Sequence, residues 1–251
     1  MLRWRNLFLL VTLAFTACGP QNSRNNSKAG GSSQINALLC SEYLKKKSLK
    51  IAMSKCEKSL KQNPANANAH KWIAVLHLRL GQDKLAGRHF QRAVDLLPND
   101  SAAHNNYGTY LCRNNQLKKA EVHFLKAVSN PLYRSRHVAY VNAGACMQKA
   151  GNMKKAEKYF RAALRTTPFF GPALIRMAYL TYEQDKCISA LGFVRRWSKN
   201  NHWSSKSLWL AMNVEKKCGN ANKYVSHGLL LKSRFPTSVE ASKYKQWKHR
   251  Y

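Results

Sequence analysis

The chain has 251 residues, enough for one elongated domain or two compact ones. Its 43 Lys and Arg against 11 Asp and Glu leave a formal charge of +32, which points to anionic partners or, alternatively, to lysines that simply cover solvated faces. The few carboxylates form no convincing acid/base pair, and HExxH, paired CxxC and Gly-rich phosphate-loop motifs are all missing, so neither an enzyme nor a metal or cofactor site is expected.

Residues 1–17 read as an export signal. Arg3 and Arg5 form a positive start, and Leu7 to Phe15 is an apolar core, too short for the roughly 20 residues a membrane span needs. The segment ends Phe15-Thr16-Ala17-Cys18-Gly19, which resembles the bacterial lipobox, with Phe15 where Leu is usual. That resemblance implies cleavage before Cys18, diacylation of its thiol and acylation of the new amino terminus; an ordinary secretory peptide with a chance cysteine is the alternative. Two or more acyl chains hold a protein at a membrane where one does not. Gly19 after the cysteine, rather than Asp, implies sorting to the outer membrane. Residues 18–32 then form the lipidated cysteine and a polar, Gly/Ser/Asn-rich segment that cannot bury enough surface to fold, expected as a flexible tether.

From residue 33 a repeat takes over. Gly108, Asn115, Ala120 and Phe124 reappear as Gly144, Gly151, Ala156 and Phe160, and the phrase "KKAE" occurs in both copies. The chain resembles tetratricopeptide repeats, whose period is about 34 residues. Six copies follow in frame, at 33–66, 67–100, 101–136, 137–170, 171–204 and 205–238, the third carrying two extra residues around Pro131. In the copy at 67–100, Ile73 and Ala74 face the core from a first helix, and Gly81 makes the turn. Ala86, Phe90 and Ala93 face inward from a second helix, and Pro98 ends it. Asp185 stands at the turn of the fifth copy, and Tyr224 replaces Ala in the sixth. Residues 239–251 read as a short basic capping helix. The expected fold is all-α: one right-handed superhelical solenoid of six helix pairs with a C-terminal cap.

A solenoid of this kind offers a surface rather than a reaction. The resemblance places the groove-lining positions at Lys71, Val75, Leu78 and Arg79; at Asn105, Thr109 and Arg113; at Val141, Gln148 and Lys149; and at Ile175, Tyr179 and Tyr182. Some of these side chains are expected merely to solvate the groove. The mixture suits a segment with acidic groups beside apolar anchors. His70 and His104 share a repeat position, as do His89 and His123, so their spacing follows the repeat and not a metal site. In an oxidising compartment disulfides are permitted. Cys112 and Cys146 fall late in the first helices of adjacent repeats, and a bridge between them is expected. Cys40 and Cys56 fall on facing helices of the first repeat, where small buried thiols are preferred to a bridge.

The middle of the chain adds detail: His104-Asn105-Asn106-Tyr107-Gly108 through Cys112, the break Asn130-Pro131-Leu132-Tyr133, and Asn142-Ala143-Gly144-Ala145-Cys146. With the lipobox and six repeats, this series resembles the type IV pilus biogenesis and stability lipoproteins, the PilF/PilW pilotin family, over about residues 33–240. The resemblance implies a non-catalytic adaptor on the periplasmic side of the outer membrane, held there by its lipid. Its implied partner is the pilus secretin, which such a protein helps to localise and multimerise, with the early repeats gripping secretin protomers. By itself it is expected to be a monomer. A different envelope scaffold, serving peptidoglycan enzymes, outer-membrane assembly or a type II-like secretion system, is the alternative. Nucleic acid is not an expected partner: the export signal argues against it, and the basic residues lack a reading motif.

Overall fold

The computed structural model describes residues 21–248, and every element in them is helical. The signal peptide and Cys18 lie outside the described residues. Thirteen helices follow in order: α1 (Gln21–Lys45), α2 (Leu49–Gln62), α3 (Ala67–Arg79), α4 (Asp83–Leu96), α5 (Ser101–Arg113), α6 (Leu117–Ser129), α7 (Arg136–Lys149), α8 (Met153–Thr166), α9 (Gly171–Glu183), α10 (Cys187–Ser198), α11 (Ser205–Lys217), α12 (Ala221–Arg234) and α13 (Val239–Lys248). The first twelve form six hairpins, each an A helix followed by a B helix. Neighbouring A helices touch one another (α1 with α3, α5 with α7, α9 with α11), and B helices pack mainly against the A helices on either side. The A helices therefore line the inner side of a tetratricopeptide solenoid.

One local device makes all six hairpins. Each A helix ends in a residue with left-handed backbone: Lys47 (φ 60°), Gly81 (74°), Asn115 (62°), Gly151 (74°), Asp185 (59°) and Gly219 (76°). The next residue's N–H then reaches back five positions, as in Ser48 to Tyr43 at 2.9 Å, Gln82 to His77 at 2.8 Å and Lys186 to Thr181 at 2.9 Å. This closure satisfies a carbonyl the helix end would leave free and reverses the chain within two residues. Glycine takes this backbone without strain, and Asn and Asp tolerate it through their short polar side chains.

Behind the turns the interior is a stack of rings against small residues. Phe90, Phe124 and Phe160 on successive B helices are buried, as are Ala86, Ala120, Ala156 and Ala190. A Cβ placed on Gly108 would meet the Phe124 ring at 2.9 Å, and one on Gly144 would meet Phe160 at 2.4 Å, so the glycine-to-phenylalanine approach is closer than any side chain permits. In the last repeat the B-helix position holds Gly228, and Tyr244 of α13 lies against it. The cap thus supplies the ring that α12 lacks.

Two features differ from the sequence expectation. Helix α1 begins at Gln21, inside the segment whose composition suggests a tether. Its fixed end explains this: buried Ser33 donates to the Ser59 carbonyl at 2.9 Å, and Asn36 donates to Gln62 at 2.9 Å. Once that turn is held, each preceding residue adds one helical bond. The second difference is at Cys40 and Cys56, preferred as thiols but joined as a disulfide with Cα atoms 5.3 Å apart. Both side chains point into the seam between α1 and α2, which is narrow enough for the bond. Cys112 and Cys146 are also bonded, with Cα atoms 5.7 Å apart.

Two histidine pairs repeat along the N-terminal half. His70 and His89 meet Nδ1 to Nδ1 at 2.9 Å, and His104 and His123 at 2.8 Å; the Nε2 atoms of His70 and His104 lie 2.9 and 2.8 Å from the carbonyls of Pro64 and Pro98. A carbonyl only accepts, so those Nε2 atoms carry the proton, and the partner histidine donates through Nδ1. Burial, and then the neighbouring histidine, hold His89 and His123 down to about 4. The sign follows: a histidine whose pKa falls on folding stabilises the fold above its unfolded value of about 6.5, and that stability is lost as pH falls toward the folded value. The melting temperature is therefore expected to drop between pH 6.5 and about 4. In His89→Gln/His123→Gln that drop should be smaller. Thermal melts across this window check it, and an unchanged slope would show that other groups set the acid limit.

Candidate docking groove

The sequence-predicted groove residues divide into those consumed by the fold and those left for a partner. On α3, Lys71 is buried, and its Nζ donates to Asp100 at 2.9 Å. Asp100 in turn accepts the Ala102 and Ala103 N–H groups and so caps α5. Burial raises the Asp100 pKa, but the Lys71 bond and charge together with the two amides outweigh it, so the carboxyl titrates below its ordinary range. Val75 and Leu78 pack half-buried beside Phe90. Arg79 donates to the Leu44 carbonyl at 2.8 Å.

The middle set is similarly engaged. Asn105 is buried and accepts from Asn142 at 3.0 Å, Thr109 donates to the Asn105 carbonyl at 2.9 Å, and Arg113 lies 3.7 Å from Asp83. Val141 is buried. Lys149 donates to the carbonyls of Cys112 and Arg113 at 3.0 and 3.2 Å. A pattern runs through these contacts. A cation late in one A helix caps the carbonyl end of the A helix before it: Arg79 onto α1, Lys149 onto α5, and Lys217 onto Tyr182 of α9 at 3.0 Å. Positive charge at a helix C-terminus is favourable on dipole grounds as well.

The remaining four residues, Gln148, Ile175, Tyr179 and Tyr182, come together in one concave space of about 710 Å³ between α7, α9, α11 and α13. Tyr179 is 49% exposed although it sits in the middle of a helix. Arg176 rises from the floor, half-buried, with its guanidinium 5.8 Å from the Phe160 ring centre and a bond to Gln148 at 3.2 Å. Burial lowers its pKa, yet an arginine stays charged at any ordinary pH. The opposite wall carries Trp209, Leu210, Asn213 and Lys206, while Glu183 and Glu240 sit at the edge. The groove therefore offers four aromatic side chains, Tyr179, Tyr182, Trp197 and Trp209, with two apolar side chains and two cations.

Sequence reasoning missed the far wall, although the repeat contained it. One period of about 34 residues beyond Ile175 and Tyr179 lie Trp209 and Asn213, the corresponding places on α11. Arg176 was missed as well, although Asn142 and Leu210, one period to either side, also line concave spaces. A smaller space of about 160 Å³ lies between α5 and α7, beside Thr109, Asn142 and Lys149. Among the described residues, no cluster of three metal-ligating side chains occurs, and no helix is long and apolar enough to cross a membrane.

Comparison with known proteins decides what this solenoid is related to. A tetratricopeptide-repeat family model matches residues 89–122. The type IV pilus assembly protein PilF of Pseudomonas aeruginosa is 25% identical over 238 residues, spanning 93% of this chain and 94% of that protein. The chain is thus similar to PilF along nearly its whole length. The solved structure of Pseudomonas aeruginosa PilF superimposes with a TM-score of 0.79 at 24% identity, covering 88% of this chain and 98% of that one. The structure of PilW, a widely conserved type IV pilus biogenesis factor, gives 0.77 at 28% identity, with 84% and 97% covered. The likeness to PilF and PilW extends across the helix pairs and is not confined to the matched repeat.

Proposed function

We propose that the chain is a non-catalytic adaptor of type IV pilus biogenesis, a pilotin. In this reading, lipids on Cys18 hold it to the inner face of the outer membrane, facing the periplasm. Its solenoid binds the pilus secretin and promotes the secretin's localisation and multimerisation. The observation that carries the reading is homology to PilF along nearly the whole chain, and the open aromatic groove on α9 and α11 supports it as a place to hold a protein segment. Ile175, Tyr179, Tyr182 and Trp209 suit apolar anchors, and Arg176 and Lys206 suit acidic groups beside them. A lipid tether confines the adaptor to the same membrane as its client, which raises the effective concentration of a weak contact.

The experiment is the heat-resistant secretin multimer in outer-membrane fractions. It is expected with the gene intact, lost on deletion, and reduced or mislocalised with Cys18→Ala. An unchanged multimer in all three strains contradicts the pilotin role and leaves a general envelope scaffold.

A further inference from the structure

Among the described residues, two cysteines take no part in the disulfides. Cys187 is the first residue of α10, and Cys218 follows the last turn of α11; both are thiols, and both are partly exposed. They belong to adjacent repeats, yet the fold brings them together, with the Cys218 thiol beside Cys187. The surrounding contacts fix that approach independently of the sulfurs. Lys217, next to Cys218, donates to the Tyr182 carbonyl at 3.0 Å, places its amine 4.6 Å from the Tyr182 ring centre and pairs with Asp185, two residues before Cys187. On its inner side, Cys218 packs against the apolar cluster of Leu191, Leu210 and Val214. The junction is the same end of the solenoid that Cys112–Cys146 staples two repeats earlier, where Lys149 caps α5 as Lys217 caps α9.

We propose that Cys187 and Cys218 form a third cross-link, a dithiol that closes to a disulfide between repeats five and six by exchange with a disulfide oxidant. The first protein thiolate attacks one sulfur of the oxidant's disulfide; that S–S bond breaks and one oxidant thiol leaves. The second protein thiolate attacks the mixed disulfide at the protein sulfur and releases the other oxidant thiol. Two protein thiols lose two electrons and two protons, and one oxidant disulfide becomes two thiols. Burial and the adjacent Cys187 push the Cys218 thiol up. The bond ties the start of α10 to the end of α11. It thereby fixes the spacing of α9 and α11, the two helices that carry Tyr182 and Asn213 into the groove.

The test treats the full chain with oxidised glutathione, quenches it, denatures it and alkylates it without reductant, followed by peptide mapping. Before treatment both Cys187 and Cys218 should alkylate. Afterwards alkylation at both should fall about tenfold, with one peptide pair linked through the two sulfurs. In Cys187→Ser, Cys218 should instead end as a mixed disulfide with glutathione, and in Cys218→Ser the same should hold for Cys187. Full alkylation after treatment, or a glutathione adduct on each cysteine of the unaltered chain with no internal link, overturns the proposal.

Discussion

Phe160→Ala is expected to lower the stability of the solenoid by about 3–5 kcal/mol. The ring is fully buried, lies against the bare backbone of Gly144 and has the Arg176 guanidinium 5.8 Å from its centre. Its loss opens a cavity between helices that cannot close without moving a whole repeat. Each repeat is stabilised mainly by its neighbours, so the defect should also weaken the seams to α6 and α9. The reverse change tests the same contact from the other side. Gly144→Ala puts a methyl 2.4 Å from the ring, an overpacking that costs about 1–3 kcal/mol. Gly144→Ala combined with Phe160→Leu should recover part of that cost, because the two positions share one space. Urea denaturation of the unaltered chain, Gly144→Ala, Phe160→Leu and the double variant checks this. Strictly additive losses would mean that the ring and the glycine do not meet.

The second large effect is covalent. Replacing Cys112 and Cys146 by Ser should cost about 3–4 kcal/mol, the loss expected when a closed loop of this length is opened in the unfolded chain. The bond spans a sequence separation of 34 and staples α5 to α7, beside the smaller of the two groove spaces. The separation at Cys40–Cys56 is only 16, so opening that loop should cost somewhat less. Thermal melts with and without reductant, on the unaltered chain and on each double serine variant, separate the two contributions. A melt unaffected by Cys112→Ser/Cys146→Ser would mean that side-chain packing alone holds the third and fourth repeats in register.

The repeat was legible in the sequence because its physics is local. Gly81, Gly151 and Gly219 mark the turns, Ala86, Ala120 and Ala156 the close helix approach, and Phe90, Phe124 and Phe160 the rings that fill it. The joined state of Cys40 and Cys56 was less legible, since buried thiols and a bridge share the same spacing and only the width of the α1–α2 seam separates them. The groove was the least legible part. A repeat position says which side chains point inward but not which ones the fold has already engaged. Lys71 and Arg79 occupy inward places, yet one holds Asp100 and the other caps α1. Their charges are therefore partly satisfied within the chain, whereas Tyr179 stays half-exposed in the space between α7, α9, α11 and α13. Which places stay open depends on the curvature of the whole solenoid, which no single repeat encodes.

The most direct measurement is the affinity of the purified protein for the secretin, compared with the Tyr179→Ala/Trp209→Ala variant. Tyr179 is half-exposed in the groove, and Trp209 lines the facing wall while also packing against the apolar cluster that includes Leu208 and Met212. The proposed mechanism predicts a loss of about 2 kcal/mol or more, on the order of 30-fold in Kd, in a variant that circular dichroism shows to be folded. Unaltered affinity in a fully folded variant would contradict docking at this groove.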